Sequence, residues 1–547
     1  MTDIATLVTD NIHIWTGAIQ RKSSAGRGGG KRISLHGIER LRALILDLAV
    51  RGKLVPQDAA DEPACELLKR VKAERAKRIK AKSIRKGKAF ATVSQTPPFE
   101  IPSNWIWTQL SEIGHDWGQK KPSSSFTYID VGSIDQTSGV VQSPSLVEAN
   151  DAPSRARKVV RKGTVIYSTV RPYLLNIAIV DRDFDPEPIA STAFAIIHPF
   201  EGIEAGFVSR YLRSAPFVSY VESCQTGIAY PAINDRQFFS AWCPLPPVRE
   251  QRRIVAKVDE LMALCDALER ESADAMAAHQ ALVEMLLATL VNSADAADLA
   301  RQWARLESHF DNLFTTDASI DALKQTILDL AVRGKLVEQE SPSLTKWIES
   351  PLEKLIGPMD SGWSPACHEF PSTSDDVWGV LKTTAVQDMR YDANQNKELP
   401  AKFEPRPNAE ARVGDVLITR AGPTNRVGIC CFVASTRPRL MISDKIIRFR
   451  PISSVIEGAF LALALSVGTA AQQIEKAKSG MAASQVNISQ SKLKAIIVPV
   501  PPLAEQRHIV AKVDALIALC DALKARLADA AQTQRDLADA ITERAAA

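Results

Sequence analysis

The stretch ILDLAVRGKLV stands at residues 45–55 and again, letter for letter, at 327–337, 282 positions further on. A match of that length inside one chain marks a duplicated unit. A second pair is longer. PLPPVREQRRIVAKVDELMALCDALE at 244–269 is matched by PVPPLAEQRHIVAKVDALIALCDALK at 499–524, an offset of 255. Weaker echoes lie between the strong ones. GTVIYSTVRPYLLNIAIV from Gly163 resembles GDVLITRAGPTNRVGICCFV from Gly414. STAFAIIHP from Ser191 resembles SDKIIRFRP from Ser443. The loop TGIAYPAINDRQF around Gly227 resembles SGMAASQVNISQSKL around Gly480. The offset drifts slowly, so two copies of one domain differ by small loops. The larger jump from 282 places extra residues of the first copy near 57–100. There KRVKAERAKRIKAKSIRKGK (69–88) carries one acid, Glu74. This basic arm is a single-copy feature. It reads either as a phosphate-backbone contact or as a solvated helix followed by a flexible linker.

After Pro246-Pro247, apolar side chains fall at Ile254, Val258, Leu261, Cys265 and Leu268, at alternating spacings of four and three. The second copy repeats this at Ile509, Val513, Leu516, Cys520, Leu523 and Leu527. It continues weakly through Ala530, Gln534, Leu537 and Ile541. That is a heptad seam. Two matched seams in one chain favour pairing with each other as a coiled coil. A rod of ~35–40 residues would be about 50–60 Å long. The order of parts is circular. The middle of the chain reads long helix, then RGKLV. The C-terminus carries the helix without RGKLV, and the N-terminus RGKLV without the helix. The fold expected is mixed α/β, with two tandem globular domains separated by long paired helices and an internal pseudo-two-fold repeat. Its parts are 1–96 (N-terminal helical region with the basic arm), 97–246 (first globular domain), 247–345 (central helical spacer), 346–501 (second globular domain) and 502–547 (C-terminal helix). Short β-rich runs such as TVIYSTV, DVLIT and KIIRFR belong to the globular parts. GFVSRYLRSAPFVSYVES and AFLALALSVGTAAQQIEKA read as helices. In the repeated stretch, Leu46, Leu48 and Val50 read as core.

Composition agrees with a multidomain globular protein. The chain has 547 residues, 45% apolar and 24% charged, with a net charge of +4. No uninterrupted apolar run reaches ~18 residues, so no membrane span is expected. The N-terminus lacks a basic start followed by an apolar core, so no secretory signal is expected. Eight scattered cysteines without a CxxC pair suggest a reducing cytoplasm.

PLPPVREQRRIVAKVDELMALCDAL, FDNLFTTDASIDALKQTILDLAVRGKLV and GDVLITRAGPTNRVGICCFV resemble the specificity subunit of type I restriction-modification enzymes, over nearly the whole chain. The resemblance implies two target recognition domains, each reading one half of a split DNA site. It implies helical conserved regions that hold them apart and dock two methyltransferase subunits. Translocase–nuclease subunits would complete the restricting complex. AdoMet, ATP and Mg would sit on those partner subunits, with no cofactor on this chain. The sequence departs from the pattern in its short tail, ITERAAA, and in the glycine-rich leader QRKSSAGRGGGKR, to which no role is assigned. A split site needs two readers at fixed distance, about 34 Å per helical turn of B-DNA. A stiff rod sets that spacing better than a flexible linker.

No catalytic motif stands out. GRGGGK (26–31) has three residues rather than four between its outer glycines, and Arg32 stands where a phosphate loop needs Ser or Thr. CHE (367–369) with Cys430 and Cys431 fits no zinc spacing. No methyltransferase tetrapeptide or nuclease carboxylate cluster appears, so catalysis and a metal site are not expected. For DNA contact, the candidates are polar and basic residues of inter-strand loops. In the first domain these are Lys120, Lys121, Tyr167, Arg171, Tyr173, Asn176, Tyr230 and Asn234. In the second they are Arg420, Asn425, Arg426, Lys445, Lys478, Ser484, Gln485 and Asn487. Arg suits guanine, and Asn or Gln suits adenine, in the major groove. Pro172 is expected to hold Arg171 extended. Arg51, Lys53, Arg333 and Lys335 are the candidate subunit contacts. The competing readings are a coiled-coil protein scaffold without base readout and a self-contained nuclease or methyltransferase with degenerate motifs.

Overall fold

The computed structural model describes residues 4–22, 32–85, 96–227, 231–337 and 347–546. The leader motif 26–31 and the end of the basic arm, 86–88, lie outside them. The chain divides into two compact units, one of residues 1–274 with 530–547 and one of 275–529. The repeat explains this division. Helix Val248–Val291 begins in the first unit and ends in the second. Helix Leu503–Ala546 begins in the second and ends in the first. Each is 44 residues long, about 66 Å at 1.5 Å per residue. The circular order of the sequence is thus the circular order of the fold.

In the second unit the seam does not stand alone. Ile509, Val513 and Cys520 share one core with Val283, Leu287 and Leu290 of the first long helix and with Ile320, Leu323 and Ile327 of helix Asp317–Val332. The heptad positions therefore serve a core shared by both long helices, helix Asp317–Val332 and the second globular domain, not a two-helix seam alone. In the first unit Ile254, Val258, Leu261, Cys265 and Leu268 are buried, as are Ile38, Leu41, Leu44 and Ile45 of helix His36–Val50. Ion pairs recur at matched positions. Arg42 meets Asp266 at 2.7 Å and Glu269 at 2.9 Å. Its counterpart Lys324 meets Asp521. The first long helix also contains a window long and apolar enough, by composition, to cross a bilayer. Its charged positions are too few to interrupt an alanine-rich stretch, and Val283, Leu287 and Leu290 in that stretch are core residues.

The eleven-residue repeat is a structural cassette. Leu48, Ala49 and Val50 are buried, while Leu46 is only half-buried, because helical rather than alternating spacing selects the core face. Gly52 takes φ +70° and Gly334 φ +69°, the left-handed conformation that ends a helix. Lys53 N donates to Leu48 O and Lys335 N to Leu330 O, both at 2.9 Å. A Cβ on Gly52 would meet Trp105 at 3.0 Å, and one on Gly334 would meet Trp347 at 2.9 Å. The lysines then turn to the long helices. Lys335 Nζ donates to Val291 O at 3.0 Å and Ser293 O at 2.8 Å, at the end of the first long helix. Lys53 Nζ donates to Ala546 O at 3.2 Å, at the end of the second. Cations there complement the negative end of the helix dipole. Arg51 pairs with Asp47 at 2.7 Å and lies over the Phe99 ring. Arg51, Lys53 and Lys335 thus each have an internal partner. Arg333 is exposed.

The PPxxEQ motif is equally concrete. Gln251 and Gln506 are fully buried. Gln251 accepts from Glu204 N at 2.8 Å and donates to Pro246 O at 3.0 Å. Gln506 accepts from Glu457 N at 2.7 Å and donates to Pro501 O at 2.7 Å. Each glutamine fastens the start of a long helix to its globular domain.

The globular domains share a plan. Strand Val165–Ser168 lies antiparallel to Ile177–Ile179 and Phe194–Pro199. Val416–Thr419 lies antiparallel to Cys430–Phe432 and Ile446–Phe449. A two-stranded ribbon enters each long helix: Trp242–Leu245 with Ile106–Gln109, and Ile497–Val500 with Ile348–Pro351. The expected single helix over 206–223 is two, Ala205–Arg213 and Ala215–Cys224, broken at extended Ser214 just before Pro216. Its counterpart breaks between Gly458–Ser466 and Gly468–Ala477, where Gly468 takes φ +70°.

Candidate nucleic-acid interface

In each domain the loop after the central strand is tied to the loop before the long-helix ribbon. In the first, Arg171 N donates to Pro231 O at 2.8 Å and Ile233 N to Thr169 O at 3.0 Å. In the second, Ala421–Gly422 pairs with Gln485–Asn487, and Thr424 N donates to Ala483 O at 2.9 Å. The sequence-expected loops therefore meet, in the same way, in both copies. Their side chains differ.

At the first surface Tyr173 is 50% exposed and Leu174 38%, on a turn held by two left-handed residues. Arg171 is one of them, with φ +48° and ψ +57°. The expectation of an extended Arg171 fails because the 3-10 turn Pro172–Leu174 bonds back to it: Leu174 N donates to Arg171 O at 3.0 Å. Two expected contacts belong to the fold. Tyr167 is 2% exposed, with its ring 4.8 Å from Phe238 and 5.8 Å from Phe217. Burial pushes its phenol well above the ordinary value. Asn176 is 4% exposed, and its Oδ1 accepts from Gln136 Nε2 at 2.9 Å. Tyr167 lies on a strand buried at all four positions, and Asn176 lies just before strand Ile177–Ile179. Asn234 is exposed, but its side chain caps helix Asp235–Phe239. Lys120 pairs with Glu187, and Lys121 is exposed. Tyr230 lies outside the described residues.

At the second surface Asn425, Lys445, Ser484, Gln485 and Asn487 are exposed. Asn487 Oδ1 accepts from Ser479 Oγ at 3.2 Å. Arg426 is a strut: its Nη2 donates to Thr383 O at 2.8 Å and Val386 O at 3.0 Å. Lys478 is mostly enclosed, pairing with Glu475 and donating to Thr424 O. Arg420 is half-buried, and its backbone joins Lys445 O and Ile488 N. Both loops thus carry cations and amides, and two backbone carbonyls occupy Nη2 of the Arg426 guanidinium. Arg155, just before strand Ala156–Val159, and Arg236, in helix Asp235–Phe239, are also exposed in the first domain.

Among the described residues no group of three or more His, Cys, Asp or Glu side chains is placed to hold a metal. His368 stacks on Phe370, and Cys430 and Cys431 are buried strand residues.

Comparison with known proteins accords with this architecture. Residues 413–532 match the family described as the type I restriction modification DNA specificity domain. The chain is 41% identical to the type I restriction enzyme EcoEI specificity subunit of Escherichia coli, over 98% of this chain and 99% of that protein. It is 32% identical to the EcoAI specificity subunit of Escherichia coli, again over 98% and 99%. A solved structure described as "Structural basis underlying complex assembly and conformational transition of the type I R-M system" contains a chain 28% identical, covering 82% of this chain and 99% of its own, with a TM-score of 0.52. The chain belongs to the specificity subunits of type I restriction-modification systems, the non-catalytic components that recognise DNA sequence.

Proposed function

We propose that this subunit reads a bipartite DNA site, one half with each globular domain, and that its helices fix the gap while docking two methyltransferase subunits. The observation that carries this reading is the doubled loop pair: in each copy the loop after the central strand is bonded to the loop before the ribbon, and the side chains of the two copies differ. Docking is supported by a second matched feature. Leu264 is 41% exposed and Leu519 67%, at equivalent places on the two long helices. Ala263, Ala267, Ala518 and Ala522 beside them are exposed too. An apolar stripe kept identically in both copies suits two copies of one partner. Translocase–nuclease subunits join the same assembly, and AdoMet, ATP and Mg belong to the partners. The test is to co-express the chain with the methyltransferase of its own system and map modified adenines in the host genome. One bipartite motif with a constant gap supports the reading. Modification on a short continuous motif, or none, favours the scaffold without base readout.

A further inference from the structure

The basic arm is not a flexible linker over its described length. Residues Ala64–Lys80 form a helix. Leu67, Leu68 and Val71 pack in one core with Phe200 and Ile203 of the first domain. The helix ends with Lys82 in the left-handed region, φ +55°, and Ser83 N donating to Arg78 O at 3.0 Å. Ile84 then returns to the same core, so the tail through Arg85 is pinned.

The cations on this element fall into two sets. Lys69 pairs with Glu66, Arg70 with Glu62 and Arg78 with Glu74. Lys72 comes within 3.7 Å of Glu112. Lys77, Lys80, Lys82 and Arg85 are exposed, and among the described residues no carboxylate pairs with them. Lys77 and Lys80 point about 60° apart on the outer face. Arg75 and Arg85 line a cleft of about 230 Å³ with Gln119 and Asp235. Asp235 follows Asn234 directly and opens the helix after the reading loop. Of the four unpaired cations, Arg85 is thereby placed beside the helix that follows the first reading loop, and Lys77, Lys80 and Lys82 precede it on the same element.

We propose that this helix and its tail hold the phosphate backbone of duplex DNA beside the first half-site, a contact for which the second copy has no counterpart in sequence. The inference rests on the bipartite-reader proposal above. Duplex DNA carries one negative charge per ~1.7 Å of axis, which the exposed, unpaired Lys and Arg of this helix and its tail can neutralise without base contacts. A partner subunit present twice would meet a duplicated surface, and this one is single. The helix dipole accounts for cations in the last turn, but Lys82 and Arg85 lie beyond it.

The test uses the full chain and a fluorescein-labelled 60-bp duplex carrying the mapped site, with a scrambled duplex alongside. In the variant K77Q/K80Q/K82Q/R85Q, log Kd against log salt should become shallower by about one for each phosphate that is no longer neutralised, roughly two to four altogether. Both duplexes should weaken by the same factor, and protection should shrink on the flank of the first half-site only. A control variant, K69Q/R70Q, whose cations are already paired, should move the slope by less than one. The proposal is overturned by an unchanged slope while wild-type binding is specific, or by weakening confined to the cognate duplex. Absence of specific binding by the wild-type chain would overturn the reader proposal and this one with it.

Discussion

Replacing Lys335 by Met keeps the aliphatic stem and deletes the ammonium that closes the first long helix. Two charge-assisted hydrogen bonds end on Val291 O and Ser293 O. Bonds to a charged donor contribute roughly 1.5–3 kcal/mol each, and the dipole term adds about 0.3–1 kcal/mol. The site is part-buried, so water recovers some of this; a net loss of about 2 kcal/mol is reasonable, roughly 30-fold in local opening. Hydrogen exchange read by mass spectrometry on peptides covering 284–293 should therefore speed up by about 10- to 30-fold. The matched change Lys53→Met removes one longer bond, 3.2 Å to Ala546 O at an exposed site. Exchange near 540–546 should rise by about threefold or less. Unchanged protection at 284–293 would refute the capping argument. Unchanged protection together with loss of methyltransferase binding would make Lys335 a subunit contact rather than a helix cap.

Gln506→Leu strands Glu457 N and the carbonyl of Pro501 in a dry site. It should destabilise the second unit by about 2–4 kcal/mol, read as earlier proteolysis of 346–501 along a urea series; Gln251→Leu should do the same to the first. Leu264→Asp or Leu519→Asp should change stability by less than about 0.5 kcal/mol. Each should cost one methyltransferase subunit by native mass spectrometry, and the double variant both. His198 has its imidazole pushed down to about 4, chiefly by burial, then by His115, Arg78 and Arg161 nearby. Since the unfolded chain binds this proton more readily, stability is whole above about pH 6.5 and falls as pH drops toward 4. The thermal midpoint of the wild type should decline over that window, and His198→Gln should flatten the decline.

The architecture was legible because it is written twice. A letter-for-letter cassette at one offset and a heptad helix at another fixed the order of parts, and the missing halves at the two termini implied the circular closure. The chemical reasons for the motifs were not legible. Gln251, Gln506 and Lys335 act on backbone carbonyls and amides supplied by distant segments, which residue spacing does not reveal. The candidate contacts divided for the same reason. A tight turn brought Tyr173 to the surface, and the outer side of strand Gln485–Asn487 brought Gln485 there. Tyr167 lies on a strand buried along its whole length, Asn176 is buried just before another, and Arg426 Nη2 is bonded to two backbone carbonyls. The basic arm was ambiguous because its charge run conceals a short apolar face at Leu67, Leu68 and Val71.

The most direct test of two independent readers is an exchange of residues 97–246 with the corresponding segment of another type I specificity subunit of known target, followed by mapping of modified adenines. One half of the bipartite motif should change to that of the donor, while the other half and the gap between them stay as they were. A change in both halves, or in the gap, would contradict the account.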